Sequence, residues 1–426
     1  MIVLLCYFFV LENGAVAQQV VVKVDWNTVL RTVDAKAYGV DCPACFDPRW
    51  THSPNLMKPL AEISAGAKPL IRLHGWGMVT QGSNECWLNA DNTWNGAKIK
   101  EALAPLVAAG YRIMIDIPAG PGGENDVKDP VALTAFAAAL VRVVNVEHHF
   151  GVKYWEIPNE RERLMTASEM ASFLLIASRA MKAVDPTILF GGPATDSINV
   201  DYLATVVQRS GDALDFITVH TYGGDGKQAD AVSYGNALKA VADVHLLRER
   251  LDEVSKGKRL PIFVDEYNIG WDPTPKIVTN EGAVYFSIIQ AGVVHAGGDA
   301  SAVWDFSPPH NMSVVDREGR LSASGHLFTL MNQHFHGKEV SAASSDQAKV
   351  QVFAVKGALS HATLLSNLSD VPQVIHVSFE GWESKRVQSY QISSSGYSGP
   401  SPLVGRSVEE KGLTLPPKSV TVLLSQ

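Results

Sequence analysis

Between residues 35 and 335, short β-branched runs alternate with longer amphipathic stretches, and the alternation counts to eight. The runs are Ala37–Val40, Pro69–Leu73, Tyr111–Ile117, Val152–Ile157, Thr187–Gly191, Asp215–His220, Pro261–Glu266 and Ala300–Trp304. Helical patterns fall between them, among them Lys98–Ala109, Pro130–His149, Ala167–Val184, Tyr234–Val254 and Glu281–Ala296, with Leu321–His334 closing the set. This rhythm predicts an α/β chain whose residues 35–336 form a (β/α)8 TIM barrel. A doubly wound open sheet alternates similarly but usually carries a Gly-rich phosphate loop after its first strand. Here that turn is Gly39-Val40-Asp41-Cys42-Pro43, which is no such loop. Gly120-Pro121-Gly122-Gly123 marks a loop, but no Lys-Ser/Thr opens a helix behind it.

After about residue 338 the helices stop. Val350–Phe353, Ala362–Leu365, Val374–Phe379, Val387–Ile392 and Ser419–Leu424 alternate or run apolar between turn residues, which predicts a C-terminal β-sandwich over 337–426. The segment 18–34, extended through Val20–Val33, precedes the barrel and is expected to complete that sandwich. Ser393–Pro402 reads as a loop.

At 426 residues, with 46% hydrophobic and 19% charged side chains, the chain can bury a large core and needs more than one unit. Ile2–Leu11 is apolar but too short to span a bilayer, and Ala15-Val16-Ala17 follows as a small-residue cleavage site. Residues 1–17 therefore read as a signal peptide, which predicts a secreted or periplasmic protein. No later stretch reads as a membrane span. The net charge of -8 becomes -7 without that segment, since Glu12 is its one charged residue. Mild acidity and the lack of a Lys/Arg run argue against nucleic acid as a partner. Cys42, Cys45 and Cys86 remain, and three thiols cannot all pair. Cys42-Pro43-Ala44-Cys45 lacks a second half-site for zinc, so a loop disulfide and a free thiol are expected, with a bridge from either residue to Cys86 also open.

In a barrel of this kind the chemistry sits where the strands finish. The second strand ends in Arg72, His74 and Trp76, the fourth in Asn159 and Glu160, the sixth in His220 and Tyr222, the seventh in Glu266 and Tyr267, and the eighth in Trp304. Aromatic faces stack on the C–H surfaces of sugars while Arg, His and Asn reach hydroxyls, so the mixture suits a carbohydrate. Trp271 joins this substrate-binding set, although it and Trp76 could simply pad the rim. The two glutamates come from strands about a hundred residues apart, the supply that glycosidic bond cleavage requires: one carboxyl as proton donor, one as nucleophile. Glu156, four residues before Glu160, is expected to anchor a buried hydrogen-bond network rather than to react. Arg72 could neutralise Glu156 or Glu266, support catalysis, or do both. Glu124 and Asp126 are spare acids. No third ligand accompanies His74 and His220, so no metal and no cofactor is expected. A barrel lyase or aldolase would want a Schiff-base lysine or a metal cluster at strand ends, and Lys68 and Lys153 lie at the other end. An inactive carbohydrate-binding barrel is the remaining rival. Oligomeric state is open.

The Asn159-Glu160 pair and the lone Glu266 resemble the signature of clan A glycoside hydrolases, the (β/α)8 enzymes with acid/base and nucleophile on the fourth and seventh strands. Within the clan the chain is most similar to family 39, which holds β-xylosidases and α-L-iduronidases, with families 51 and 79 next. The resemblance implies a retaining glycoside hydrolase with Glu160 as acid/base, Glu266 as nucleophile, Asn159 on the sugar 2-hydroxyl, and Arg72, His220, Tyr222 and Trp304 in support. Family 39 members usually have Trp before the Asn-Glu pair and Pro after it; here Pro158 and Arg161 stand there. Asp265-Glu266-Tyr267-Asn268 also resembles the nucleophile strand of family 51 arabinofuranosidases. The implied substrate is a plant or microbial poly- or oligosaccharide, β-xyloside first, with an α-L-arabinofuranoside or internal polysaccharide cleavage as alternatives.

Overall fold

The structure is a computed structural model that describes residues 19–64, 67–117, 130–357, 360–381, 386–404 and 412–425. The signal segment, the Gly120–Gly123 loop, Glu124 and Asp126 lie outside the described residues. Val20–Val33 forms the first strand, β1. Eight parallel strands then close a barrel: β2 (Tyr38–Asp41), β3 (Leu70–Leu73), β4 (Arg112–Asp116), β5 (Tyr154–Glu156), β6 (Leu189–Thr195), β7 (Phe216–Tyr222), β8 (Ile262–Asn268) and β9 (Ala300–Val303). Each of the eight apolar runs is one of these strands. Three helices escape the sequence pattern, the short Pro48–Thr51 and Pro54–Ile63 after β2 and Val200–Ser210 after β6. The second begins on Pro54 and holds Pro59 inside it, and proline masks a helical reading even where the first turn tolerates it.

One expectation needs correcting. Pro130–Glu147 is long and apolar enough, by length and composition, to cross a membrane. In the fold it is a barrel helix, Pro130–Val141 with a π turn behind it, whose Leu133, Ala137, Leu140 and Val141 are buried and which packs on Ala167–Val184. Its buried side chains form the face that packs on the barrel.

Alternation along the strands builds the barrel interior in layers. Leu70, Met114, Phe216, Phe263 and Ala300 form an apolar plug with Tyr154 packed on it. Two glycines make room at this level: a Cβ on Gly191 would lie 2.1 Å from the Phe216 ring, and one on Gly39 2.4 Å from the Leu70 carbonyl oxygen. Two residues further along the same strands stand Asp41, Arg72, Asp116, Glu156 and Asp265, all fully buried. A hydrophobic floor thus supports a layer of charge.

The second domain is one hydrogen-bonded sheet of nine strands that curls over its own core, so the facing layers of the expected sandwich are two halves of one sheet. Its further strands are β10 (Gly337–Ser344), β11 (Val350–Lys356), β12 (His361–Asn367), β13 (Gln373–Glu380), β14 (Arg386–Ser393), β15 (Gly396–Val404), β16 (Leu413–Leu415) and β17 (Ser419–Ser425), in the order β15-β14-β17-β12-β11-β10-β1-β13-β16. β1 runs antiparallel to β10 and parallel to β13. Ser393–Pro402, read as a loop, is instead largely a hairpin, with β15 at the sheet edge where its Pro400 and Pro402 withhold no ladder bond from a further strand. β12 and β17 read as continuous apolar runs because both faces are buried. Leu365 and Leu423 point into the sheet's own core, and Leu364, Val420, Val422 and Leu424 join the barrel's. Ser287 of the barrel and Ser366 of β12 share a buried 2.7 Å hydrogen bond across that seam.

Candidate active site

The site begins with a bulge in β8. Val219 of β7 pairs with Val264, yet the next residue, His220, pairs with Glu266; on the other side Val264 faces Ser301 and Tyr267 faces Val303. Asp265 is the extra residue. In a regular strand neighbouring side chains point to opposite faces, whereas a bulge re-aims one of them. Asp265 and Glu266 consequently both reach Arg72, at 3.4 and 3.1 Å. The same shift turns Tyr267 outward, where it is fully buried, accepts a 3.1 Å hydrogen bond from Gln290 and packs edge-on to Phe286. Tyr267, expected to bind substrate, is therefore a core residue of the barrel wall.

Arg72 is the hub. Its Nε donates to Glu156 Oε2 at 2.7 Å, Nη1 to Asp41 Oδ2 at 2.6 Å and to Glu266 Oε2 at 3.1 Å, and Nη2 to Asn159 Oδ1 at 2.8 Å. Asp116 lies 3.6 Å from Nη2 and 2.9 Å from His74 Nδ1. Arg72 therefore neutralises the buried acids and bonds Glu266, and Glu156 lies in this buried hydrogen-bond network. Five buried carboxylates around one guanidinium cannot all stay ionised. Burial, with the charge of Glu156 beside it, holds the Asp265 carboxyl well above the ordinary range, and burial lifts Asp41 to about 7 against the pull of Arg72. His74 is driven the other way. Burial works against its charge, but the bond to Asp116 prevails and raises the imidazole to about 9.

Glu266, like Asp116, is a carboxylate that this layer keeps charged. Burial pushes its pKa up, yet His220, Arg72 and His74, together with a hydrogen bond donated by Tyr222 to Oε1, outweigh burial and hold it below the usual value. Its side chain is 10% exposed. Glu160 is delivered differently. β5 stops at Glu156, the Ile157–Pro158 bond is cis, and Glu160 stands beyond Asn159 with φ 51°. Left-handed backbone costs a residue with a side chain on the order of 1 kcal/mol. It is held here by the Glu160 amide bond to Ala194 O at 2.9 Å, and Ala194 in turn donates to Thr218 Oγ1 at 2.8 Å. The Glu160 side chain is 37% exposed, and its Oε1 meets His220 Nδ1 at 2.8 Å.

The two glutamates converge. One oxygen of Glu160, one of Glu266 and a ring nitrogen of His220 all lie within 4.8 Å of one another. Such a trio could hold a cation by distance, but each member is already engaged, His220 with Glu160 and Glu266 with Arg72 and Tyr222. Burial lowers the His220 pKa and the two glutamates more than compensate, Glu266 first, leaving it above its ordinary value. Trp304 sits at the end of β9, half-buried and edge-on to His74 with ring centroids 5.1 Å apart. Asn268 donates to the Trp304 carbonyl. Trp76 and Trp271 stand exposed at the rim, at 60% and 57%. A cleft of about 920 Å³ opens beside Glu160, with Tyr222 and Trp271 in its lining.

Arg72, His74, Asn159, Glu160, His220, Tyr222, Glu266 and Trp304 thus meet at one end of the barrel. Asp41, Asp116 and Asp265 were missed. The signal was present, since each is an acid at or near the end of an otherwise apolar strand, in the runs YGVD, RIMID and IFVDE. Of the cysteines, Cys42 and Cys45 form a disulfide and Cys86 is free and buried. The alternative bridge to Cys86 is not made.

The fold is a (β/α)8 barrel, and the site at one end of it resembles that of clan A glycoside hydrolases. The model for glycosyl hydrolases family 39 matches residues 141–316, a span that holds both Glu160 and Glu266, in agreement with the resemblance read from the sequence. The chain is similar in structure to a monomeric β-xylosidase from Caulobacter crescentus, at 19% identity and TM-score 0.68 over 95% of this chain and 99% of that one. It is similar as well to a family 51 arabinofuranosidase from Xanthomonas axonopodis pv. citri, at 15% identity and TM-score 0.73 over 96% and 100%. A bifunctional glucanase-xylanase from a metagenome library gives 15% identity and TM-score 0.72 over 96% and 99%. At these identities the likeness speaks for the fold. No curated protein sequence matches the chain.

Proposed function

We propose that the protein is a retaining glycosidase that acts by double displacement, with a β-xyloside as substrate. The observation that carries this reading is the spacing: one carboxylate oxygen of Glu160 and one of Glu266 lie within 4.8 Å, which suits the retaining separation of about 5–5.5 Å better than the roughly 6.5–9.5 Å of an inverting site. Glu266, ionised and fixed by Arg72 and Tyr222, attacks the anomeric carbon. Glu160 protonates the departing oxygen and then takes a proton from water to release the sugar. His220 Nδ1, 2.8 Å from Glu160 Oε1, orients that carboxyl at the site. Asn159, held by Arg72, is placed for the sugar 2-hydroxyl, and Trp304 for a ring face. The family 39 match supports a xyloside. The family 51 likeness, with Asp265-Glu266-Tyr267-Asn268, supports an α-L-arabinofuranoside as second reading.

Export belongs to the same proposal. The apolar start of the chain supports it, as does the Cys42–Cys45 disulfide, since such bonds persist in oxidising compartments.

Proton NMR during hydrolysis of aryl glycosides tests the reaction. The first sugar released from an aryl β-xyloside should be the β-anomer, and turnover should exceed that on an aryl α-L-arabinofuranoside. An α-xylose first product would refute double displacement. Failure to hydrolyse any aryl glycoside would favour the inactive binding barrel.

A further inference from the structure

Glu160 must touch the oxygen that leaves, so whatever is bonded to that oxygen lies on the Glu160 side of the site. The 920 Å³ cleft opens there: Glu160, Tyr222 and Trp271 line it, whereas Arg72, Glu266 and Trp304 do not. Pockets that enclose a whole drug-sized ligand span about 300–1,000 Å³, so this cleft holds more than a single sugar ring. Its lining is polar, with one large exposed aromatic side chain, Trp271, on its wall. A flat apolar surface among polar groups is the chemistry that binds a sugar's C–H face while its rim hydroxyls find hydrogen bonds.

The charges set the kind of chain. Glu160, Asp196, Asp201 and Asp243 line the cleft against Arg163 and Lys239. Both cations are spent: Arg163 pairs with Asp196, and Lys239 Nζ lies 2.5 Å from Asp243 Oδ2. The Val200–Ser210 helix starts in the same wall, but Asn199 already caps it through the Tyr202 amide at 3.1 Å, and Asp201 occupies its first turn. A carboxylate on an incoming sugar would meet no unpaired lysine or arginine among the described lining residues, and like charge instead.

Resting on the glycosidase reading above, we propose that this cleft binds the leaving-group side of an uncharged oligosaccharide, two or more sugars beyond the scissile bond, with Trp271 as platform and Asp201 as the residue that turns uronate-bearing chains away.

The test uses glycosides that share one terminal sugar and differ in what departs: an aryl group, one neutral sugar, three neutral sugars, or three with a uronate in the second place. The kcat/KM should rise about tenfold from one to three neutral leaving sugars, and Trp271→Ala should abolish most of that rise. The uronate chain should be slower than its neutral counterpart, and Asp201→Lys should narrow that ratio by about threefold. Calorimetric binding of the neutral tetrasaccharide to Glu160→Gln needs no turnover. Aryl hydrolysis that proceeds while kcat/KM is flat with chain length, and with no tetrasaccharide bound to Glu160→Gln, would overturn the cleft assignment and leave the glycosidase reading standing. Tetrasaccharide binding that depends on Trp271, with no glycoside cleaved by the wild-type protein, would support the cleft and defeat the hydrolytic reading.

Discussion

Glu266 and Glu160 approach within 4.8 Å of each other and live in opposite surroundings. Glu266 rises from a bulged strand into a sealed layer, gripped by Arg72 and Tyr222 and 10% exposed. Glu160 is itself the left-handed residue beyond the end of β5, is 37% exposed and, among the described residues, bonds through its side chain to His220. A nucleophile has to remain ionised and aimed, which a desolvated cage of cations secures. An acid/base must gain and lose a proton on every cycle, which requires water and a partner that can do the same. The asymmetry predicts unequal responses to perturbation.

The largest is the removal of the carboxylates themselves. Glu266→Ala should lower kcat on every aryl glycoside by on the order of 10⁵-fold. Glu160→Ala should lose on the order of 10²–10⁴-fold, with the fall in kcat/KM concentrated on poor leaving groups and activated aryl glycosides slowed at the release of the sugar. Azide should restore part of the Glu160→Ala rate on an activated aryl glycoside. Equal losses across leaving groups for both variants would erase the distinction.

Next comes His74, whose charge helps to hold Glu266 ionised. With a folded pKa of about 9 against an ordinary 6.5, its stabilisation is fully present below about pH 6.5 and is lost as the pH climbs through about 9. At about 1.4 kcal/mol per pKa unit, the shift amounts to a few kcal/mol. Urea unfolding at pH 6 and pH 10 should show a drop in wild-type stability that His74→Gln largely lacks. A parallel drop in both would place the titration elsewhere.

Tyr222→Phe sharpens the contrast more gently. It deletes a hydrogen bond to a charged group, worth about 1.5–3 kcal/mol, and with it one of the influences that depress the Glu266 pKa. The acidic limb of the kcat/KM profile should move to higher pH, since Glu266 acts ionised. An unmoved acidic limb would detach Tyr222 from Glu266.

At the exposed rim the effect is smallest. Trp76→Ala, at a side chain 60% exposed, should raise KM by no more than about fivefold with kcat preserved, the worth of about 1 kcal/mol. A fall in kcat would show that Trp76 reaches the reacting ring.

Much of this was legible in advance, for stated reasons. Strand placement follows from apolar runs, so all eight barrel strands could be read. A carboxylate at the end of such a run is visible for the same reason, which exposed Glu160 and Glu266. Side-chain direction inside β8 was not legible, because alternation assigns Asp265 and Glu266 to opposite faces and nothing in IFVDEYN announces the bulge. Tyr267 was misplaced by the same omission. Asp41 and Asp116 carry the same strand-end signal, but their place in the site comes only from Arg72, contributed by β3.

What the chain determines by itself is therefore periodic: which segments are strands, that they number eight before the pattern changes, and which strand ends carry chemistry. The tertiary structure decided what depends on convergence. Closing the barrel brought five carboxylates onto one guanidinium, and desolvation then sorted which of them keep their charge. A one-residue bulge set the aim of Glu266, because local sequence fixes a strand's existence more strongly than its register against its neighbours.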